Sequence, residues 1–372
     1  MHLDMLLTEL KERQGSDLYL TADSPPLYRL DGVTVAAEER RWPADEVESV
    51  IRAVLSPVES DEFNRTHELN LARAVPGVGR FRLNVFRQRG QVGLVARLIP
   101  IDFPNAATLG LPPSLLDIIM QKRGLILVTG ATGSGKSTTL AALIDHRNDH
   151  TRGHILTIED PIEFVHPHKG CVVTQREVGV DTASFAAGLK SALRQAPDVI
   201  LIGEMRDLET VEAAIHFAET GHLVLGTLHA NNANQAVERV MNFFEVEAHV
   251  QMYQQLALNL RGIVSQRLLP RAGGTGRVAA IEIMLNTPRI ADLIEKGEIA
   301  ALKDAIEANA PEGSQSFDQA LYELYRTGDI TLEEALRQAD SANNLRLRIK
   351  MEDAGQGGAE KPRFSLQPTQ ES

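Results

Sequence analysis

The sequence predicts an α/β protein in two parts. A small α+β domain comes first, then a parallel sheet wrapped by helices that runs into a helical C-terminal region. Three observations carry this. The apolar run Gly124 to Thr129 enters a glycine-rich turn, Gly130-Ala-Thr-Gly-Ser-Gly-Lys-Ser137, and a helical pattern leaves it. Buried-type strands then alternate with helical patterns to about residue 230. Ahead of them, residues 1 to about 100 read as short helices and the strands of an antiparallel sheet.

Taken in order, residues 2 to 14 form a short helix with Leu3, Leu6, Leu7 and Leu10 on one face, broken at Gly15-Ser16-Asp17. Leu18 to Thr21 and Leu27 to Leu30 read as strands separated by Ser24-Pro25-Pro26, and Pro43 to Leu55 as a helix. Leu69 to Ala74, Gly79 to Arg87 and Val92 to Ile99 complete the sheet. Residues 101–113 carry three prolines and little helical periodicity, the signature of an interdomain linker. The core follows over 114–285, ending in a strand from Arg277 to Leu285 after a Gly273-Gly274 turn. From about 231 to 350 the chain reads as largely helical, with 286–350 a helical C-terminal region, and 351–372, rich in Gly, Glu, Gln, Pro and Ser, reads as a disordered tail.

Composition narrows the function. Of 372 residues, 43% are hydrophobic and 24% charged, ordinary for a soluble globular protein with room for two cores. No apolar run is long enough to span a bilayer, and the N-terminus has acids where a signal peptide is basic. The formal charge of −12 argues against broad nucleic-acid binding and against a polybasic membrane anchor. The single cysteine, Cys171, excludes an internal disulfide and a four-cysteine zinc module. Together these point to the cytoplasm.

The turn at 130–137 has the chemistry of a phosphate loop. Gly130, Gly133 and Gly135 let backbone N–H groups, with those of Ala131, Thr132, Ser134 and Thr138, close round a phosphate at a helix N-terminus. Lys136 brings a full positive charge to the β- and γ-phosphates, and the Ser137 hydroxyl suits Mg²⁺. Three stretches join it. The strand His154 to Glu159 ends in carboxylates: Glu159 and Asp160 suit Mg²⁺ or its waters, and Glu163 the polarisation of an attacking water. The run Val199-Ile-Leu-Ile202 ends at Gly203-Glu204, which places Glu204 toward Mg²⁺ and the γ-phosphate. The strand after Thr220-Gly221 carries His222 at one end and His229 at the other. Seven strand residues span roughly 23 Å, too far for one metal. His229 suits the γ-phosphate or the water; His222 lies at the far end, suited to contacts between subunits. Arg80 and Arg82 alternate against Phe81 and Leu83, with Arg97 on the next strand. They are either a solvated basic face or arginines that reach the triphosphate.

These motifs resemble the secretion-type ATPase superfamily, and within it the PilT/PilU branch of type IV pilus retraction motors. The resemblance rests on residues 130–137, on Thr157-Ile-Glu-Asp-Pro-Ile-Glu-Phe-Val-His166, on Val199 to Asp207, and on Thr220 to His229. Gly15-Ser-Asp-Leu18 and Gly79 to Phe86 resemble the PAS-like N-terminal domain of the same branch. The resemblance covers about residues 2 to 350. It leans to PilU on Gln175 to Thr182, Leu193 to Asp198, His229 to Ala236 and Phe317 to Tyr322. At Pro288 to Glu295 the chain lacks, in register, the two arginines of the Ala-Ile-Arg-Asn-Leu-Ile-Arg-Glu motif of PilT proteins.

The resemblance implies a PAS-like domain, a RecA-like P-loop core and a homohexameric ATPase using ATP and Mg²⁺. Glu163, Glu204 and His229 are then the catalytic set. Arg80, Arg82, Arg97, Glu159 and His222 join the phosphate loop among the nucleotide contacts. Ser137, Glu159, Asp160 and Glu204 are the metal set. The implied partners are a PilT-type motor and an inner-membrane platform protein touched from the cytoplasm, with no nucleic acid. Its altered 288–295 segment implies an accessory motor. Two alternatives stand beside it: a nucleotide-dependent structural partner with little hydrolysis, and a pilus or secretion assembly ATPase, which the lone cysteine disfavours.

Overall fold

Two sheets organise the chain, in a computed structural model that describes residues 2–30, 32–100 and 104–356. The first holds β1 (Asp17–Leu20), β2 (Leu27–Leu30), β3 (Val33–Ala36), β4 (Glu68–Val75), β5 (Gly79–Gln88) and β6 (Gln91–Ile99). Its order is β3-β2-β1-β6-β5-β4, every pair antiparallel. Alternation works as expected along β5: Phe81, Leu83 and Val85 are buried, Arg80 and Arg82 are not. Those side chains pack with Leu3, Leu7 and Leu10 of helix His2–Glu12 and with Val47 and Ile51 of helix Ala44–Arg52. A further helix, Pro57–Thr66, escapes the sequence reading although Ser56 and Glu59 form a capping box at its start.

The second sheet holds β7 (Gly124–Thr129), β8 (Gly153–Glu159), β9 (Cys171–Glu177), β10 (Val199–Ile202), β11 (Leu223–Leu228), β12 (Leu260–Pro270) and β13 (Arg277–Leu285). The order is β13-β12-β7-β11-β10-β8-β9, parallel except for the β12–β13 hairpin. Every residue of β7, β10 and β11 is buried, as central parallel strands covered on both faces require. Helices Pro113–Ile119 and Lys136–His150 cover one face through Leu115, Ile118, Leu140 and Leu143. Helices Phe185–Ala192, Leu208–Glu219, Ala233–Met241 and His249–Asn259 cover the other. Helices Phe317–Arg326, Leu332–Gln338 and Ala342–Gln356 form a third apolar cluster against β12 and β13.

Three differences from the sequence reading have physical causes. Strand β12 lies where a helical region was expected; Ser265 and Gln266 hide its strand character because both are polar yet fully buried. The described part of the linker is not free: helix Ala106–Leu109, capped by Asn105, packs Ala106 and Leu111 into the core beside Leu140. It is too short to show a periodicity, and residues 101–103 lie outside the described residues. The last helix runs to Gln356, into the segment expected to be disordered; 357–372 lie outside the described residues. Among the described residues no helix is long and apolar enough to cross a membrane.

One side chain fixes the loop that follows the β8 carboxylates. Asn148 is fully buried; its Nδ2 donates to the Pro167 carbonyl at 2.8 Å, and its Oδ1 accepts from the Lys169 and Cys171 amides at 3.3 and 3.1 Å. Asn148→Ala is expected to lower stability by roughly 1–3 kcal/mol, the cost of buried polar groups left without partners. Thermal unfolding followed by circular dichroism checks this; an unchanged midpoint would show that the loop does not depend on the clamp.

Candidate functional site

The strand tips meet at one cavity of about 450 Å³. From β7 come Thr132, Gly133, Gly135, Lys136, Ser137 and Thr138; from β8, Glu159, Asp160 and Glu163; from β10, Gly203 and Glu204; from β11, Thr227 and His229. Open α/β sheets bind ligands at the carboxyl ends of their strands, and this arrangement follows that rule.

The loop owes its shape to glycine. Gly133 and Gly135 have φ of 77° and 89°. A Cβ on Gly135 would sit 2.8 Å from Gln266 Nε2, and one on Gly130 would sit 2.5 Å from the Gln266 carbonyl. The loop is thus seated on β12, a strand far away in sequence. Gln266 also accepts from Thr139 Oγ1 at 2.9 Å, which joins β12 to helix Lys136–His150. Lys136 Nζ bonds the Gly130 and Ala131 carbonyls at 2.8 and 3.0 Å. Burial lowers the Lys136 pKa from its ordinary value, while the facing charges of Glu204 and Glu163 act to raise it.

The carboxylates are held differently. Glu159 Oε1 accepts from Thr157 Oγ1 at 2.6 Å and from Gln175 Nε2 at 3.2 Å; burial raises its pKa. Asp160, joined to Pro161 by a cis peptide bond, is bonded by Arg206 Nη2 at 2.8 Å. Glu204 Oε1 lies 3.2 Å from His229 Nε2, so the tips of β10 and β11 share one polar contact. The Thr227 hydroxyl donates to the Gly203 carbonyl just beneath it.

Other expected contacts lie elsewhere. Gly130, Ala131 and Ser134 line a smaller adjoining cavity of about 320 Å³ with Gln266 and Arg267. His222 sits at the opposite end of β11, its Nδ1 against the Phe217 carbonyl at 3.1 Å. It is not brought to the cavity of its own chain. Nor are the three arginines. Arg97 Nε donates to Asp17 at 2.7 Å, within the first sheet. Arg80 and Arg82 face the end of β9, where Arg80 Nη2 lies 3.8 Å from Glu177 and 3.9 Å from Asp181. Glu177 is buried, which raises its pKa, and both arginines act to lower it.

Conversely, the cavity includes Arg277 at the start of β13, Leu268 of β12, and Phe164. None of these is legible as a site residue, because only the β12–β13 hairpin brings Arg277 and Leu268 to the loop. Among the described residues no group of three or more His, Cys, Asp or Glu side chains could hold a metal ion unaided.

The chain is similar to known proteins along most of its length. The family model described as type II/IV secretion system protein matches residues 107–337. The chain is 50% identical over 351 residues to the type IV pilus ATPase PilU of Pseudomonas aeruginosa, covering 94% of this chain and 92% of that protein. It is 42% identical over 345 residues to the type IV pilus retractation ATPase PilT of the same organism, covering 93% and 100%. A crystal structure of the pilus retraction motor PilT with bound ADP matches with a TM-score of 0.86 at 43% identity, covering 93% of this chain and 99% of that one.

Lys136→Ala is expected to weaken binding of a fluorescent ATP analogue by at least about tenfold, since a charge-assisted contact is worth roughly 1.5–3 kcal/mol. Equilibrium fluorescence titration measures it; unchanged affinity would remove the loop from nucleotide binding.

Proposed function

Since this chain belongs to the PilT/PilU branch of the type II/IV secretion system protein family, we propose the following division of labour for it as a pilus motor. The chain is an ATPase of type IV pilus retraction and twitching motility. The observation that carries the reading is the convergence of Lys136, Ser137, Glu163, Glu204 and His229 on one cavity at four parallel strand tips.

The loop amides and Lys136 bind and orient the β- and γ-phosphates. Glu163 lies across the cavity from the loop and polarises the attacking water. Glu204 faces the γ-phosphate, and His229, 3.2 Å from it, reports whether that phosphate is present. The donor set suits Mg²⁺ arriving with the nucleotide: Ser137 would hold it, with Glu204 and Glu159 reached through its waters, while Asp160 is engaged by Arg206. That ion supplies charge neutralisation for the transferring phosphoryl group.

The finer reading follows the resemblance. The first sheet is a PAS-like domain and the second a RecA-like core. Six copies close into a ring in the cytoplasm, where it meets an inner-membrane platform protein and binds no nucleic acid. A ring of identical subunits needs a head-to-tail interface, which suits His222 at the far end of β11. Closure of the first domain would let Arg80, Arg82 and Arg97 exchange their carboxylates for a triphosphate. An accessory role beside a PilT-type motor is favoured by helix Pro288–Glu295, which buries Ile290, Leu293 and Ile294 and turns Asp292 and Glu295 outward.

Glu204→Gln is expected to cut steady-state phosphate release at least about a hundredfold, the usual scale for loss of a positioned acid or base, with ATP binding retained. Equal turnover by the variant would dismiss Glu204 from the reaction. Mixing the Lys136→Ala chain with a PilT-type motor then separates the roles: restored pilus force identifies an accessory subunit, and absent force an obligate engine.

A further inference from the structure

We propose that Glu282 is a positioning residue for the reaction: it ties the start of helix Ala233–Met241, and with it His229, to the strand end that carries the phosphate loop. The inference rests on the ATP-hydrolysing reading of the cavity. Strand register places Thr129 of β7, Ser265 of β12 and Glu282 of β13 in one row across the sheet. All three are buried, at 0%, 0% and 3% exposure. Ser265 Oγ donates to Glu282 Oε1 at 3.1 Å, and the same oxygen accepts the Ala233 amide at 2.7 Å.

Each end of this row is next to the chemistry. Thr129 immediately precedes Gly130 of the loop. Ala233 opens the helix that follows the turn after His229, and Asn232 caps that helix by accepting from the Gln235 amide. A carboxylate at a helix start satisfies an otherwise orphan donor and complements the dipole. Strand β12 presses the loop from its other face too, through Gln266 against Gly130 and Gly135. The strand that seats the loop and the carboxylate that seats the helix after His229 are therefore neighbours on one hairpin.

The bond depends on charge. Burial pushes the Glu282 carboxyl up to about 7. Of the charged groups around it, Asp340 acts to raise it and Arg267 to lower it; these two pair at 2.7 Å, and Lys303 stands 3.8 Å from Asp340. The helix brings only its backbone, because Glu238 and Arg239 lie on its exposed side. As pH falls through 7, Glu282 takes up a proton, the anchor weakens, and His229 loses its fixed place.

The test is the pH profile of phosphate release by the full chain and by Glu282→Gln. Wild-type kcat is expected to fall by up to about tenfold from pH 8 to pH 6, the span of one group titrating near 7, with KM for ATP little changed. Glu282→Gln is expected to be flat across that range at the level of the acid limb. A variant that keeps the wild-type limb overturns the proposal. Should Glu282→Gln fail to fold, Ser265→Ala serves: loss of a donor to the charged form should move the limb to higher pH, and an unmoved limb overturns the proposal. Hydrogen exchange needs no turnover. After correction for intrinsic rates, a peptide spanning 229–236 should lose protection in wild type from pH 8 to pH 6 and not in Glu282→Gln. Constant protection in wild type overturns the role of Glu282, whereas absent turnover at pH 8 counts against the ATPase reading alone.

Discussion

The site depends on a turn that has no room for a side chain at two of its positions. At Gly130 and Gly135 the backbone comes so close to Gln266 that an added methyl group would meet its atoms at 2.5 and 2.8 Å. A loop this tight needs a rigid seat. It gets one from β7, buried at every position, and from helix Lys136–His150, which buries Leu140, Leu143 and Ile144. The seat also places polar groups in the interior, some of them met by partners: Gln266 by Thr139, Glu282 by Ser265 and the Ala233 amide.

Around that seat, charge is distributed by strand. Each of β7, β8, β10 and β11 delivers one kind of group, and the parallel arrangement brings all of them out at the same edge. Lys136 pays for burial with a lowered pKa, partly offset by Glu204 and Glu163. A phosphate entering the cavity would give the Lys136 ammonium a further partner of opposite charge.

The central strands were legible because full burial writes itself as short apolar runs between polar ends, as in Val199–Ile202. The site was legible as far as its residues stand at the ends of those runs: Lys136, Glu163, Glu204 and His229 all do. Strand β12 was not, because Ser265 and Gln266 look like surface residues until their partners are known. Arg277 and Leu268 were missed because only pairing across the hairpin carries them to the loop. The arginines mark the opposite limit. Alternation correctly set Arg80 and Arg82 opposite Phe81, yet what they face is decided by where the end of β9 lies, and no local pattern encodes that.

Among the described residues the apolar cluster of the first sheet shares no member with the clusters of the second. What joins the two includes a backbone bond from Val165 to Pro100 and the loose approach of Arg80 to Glu177 and Asp181. Were one half to rotate against the other, neither apolar cluster would have to open. Such a movement would break and remake a few polar contacts and leave both packed interiors intact.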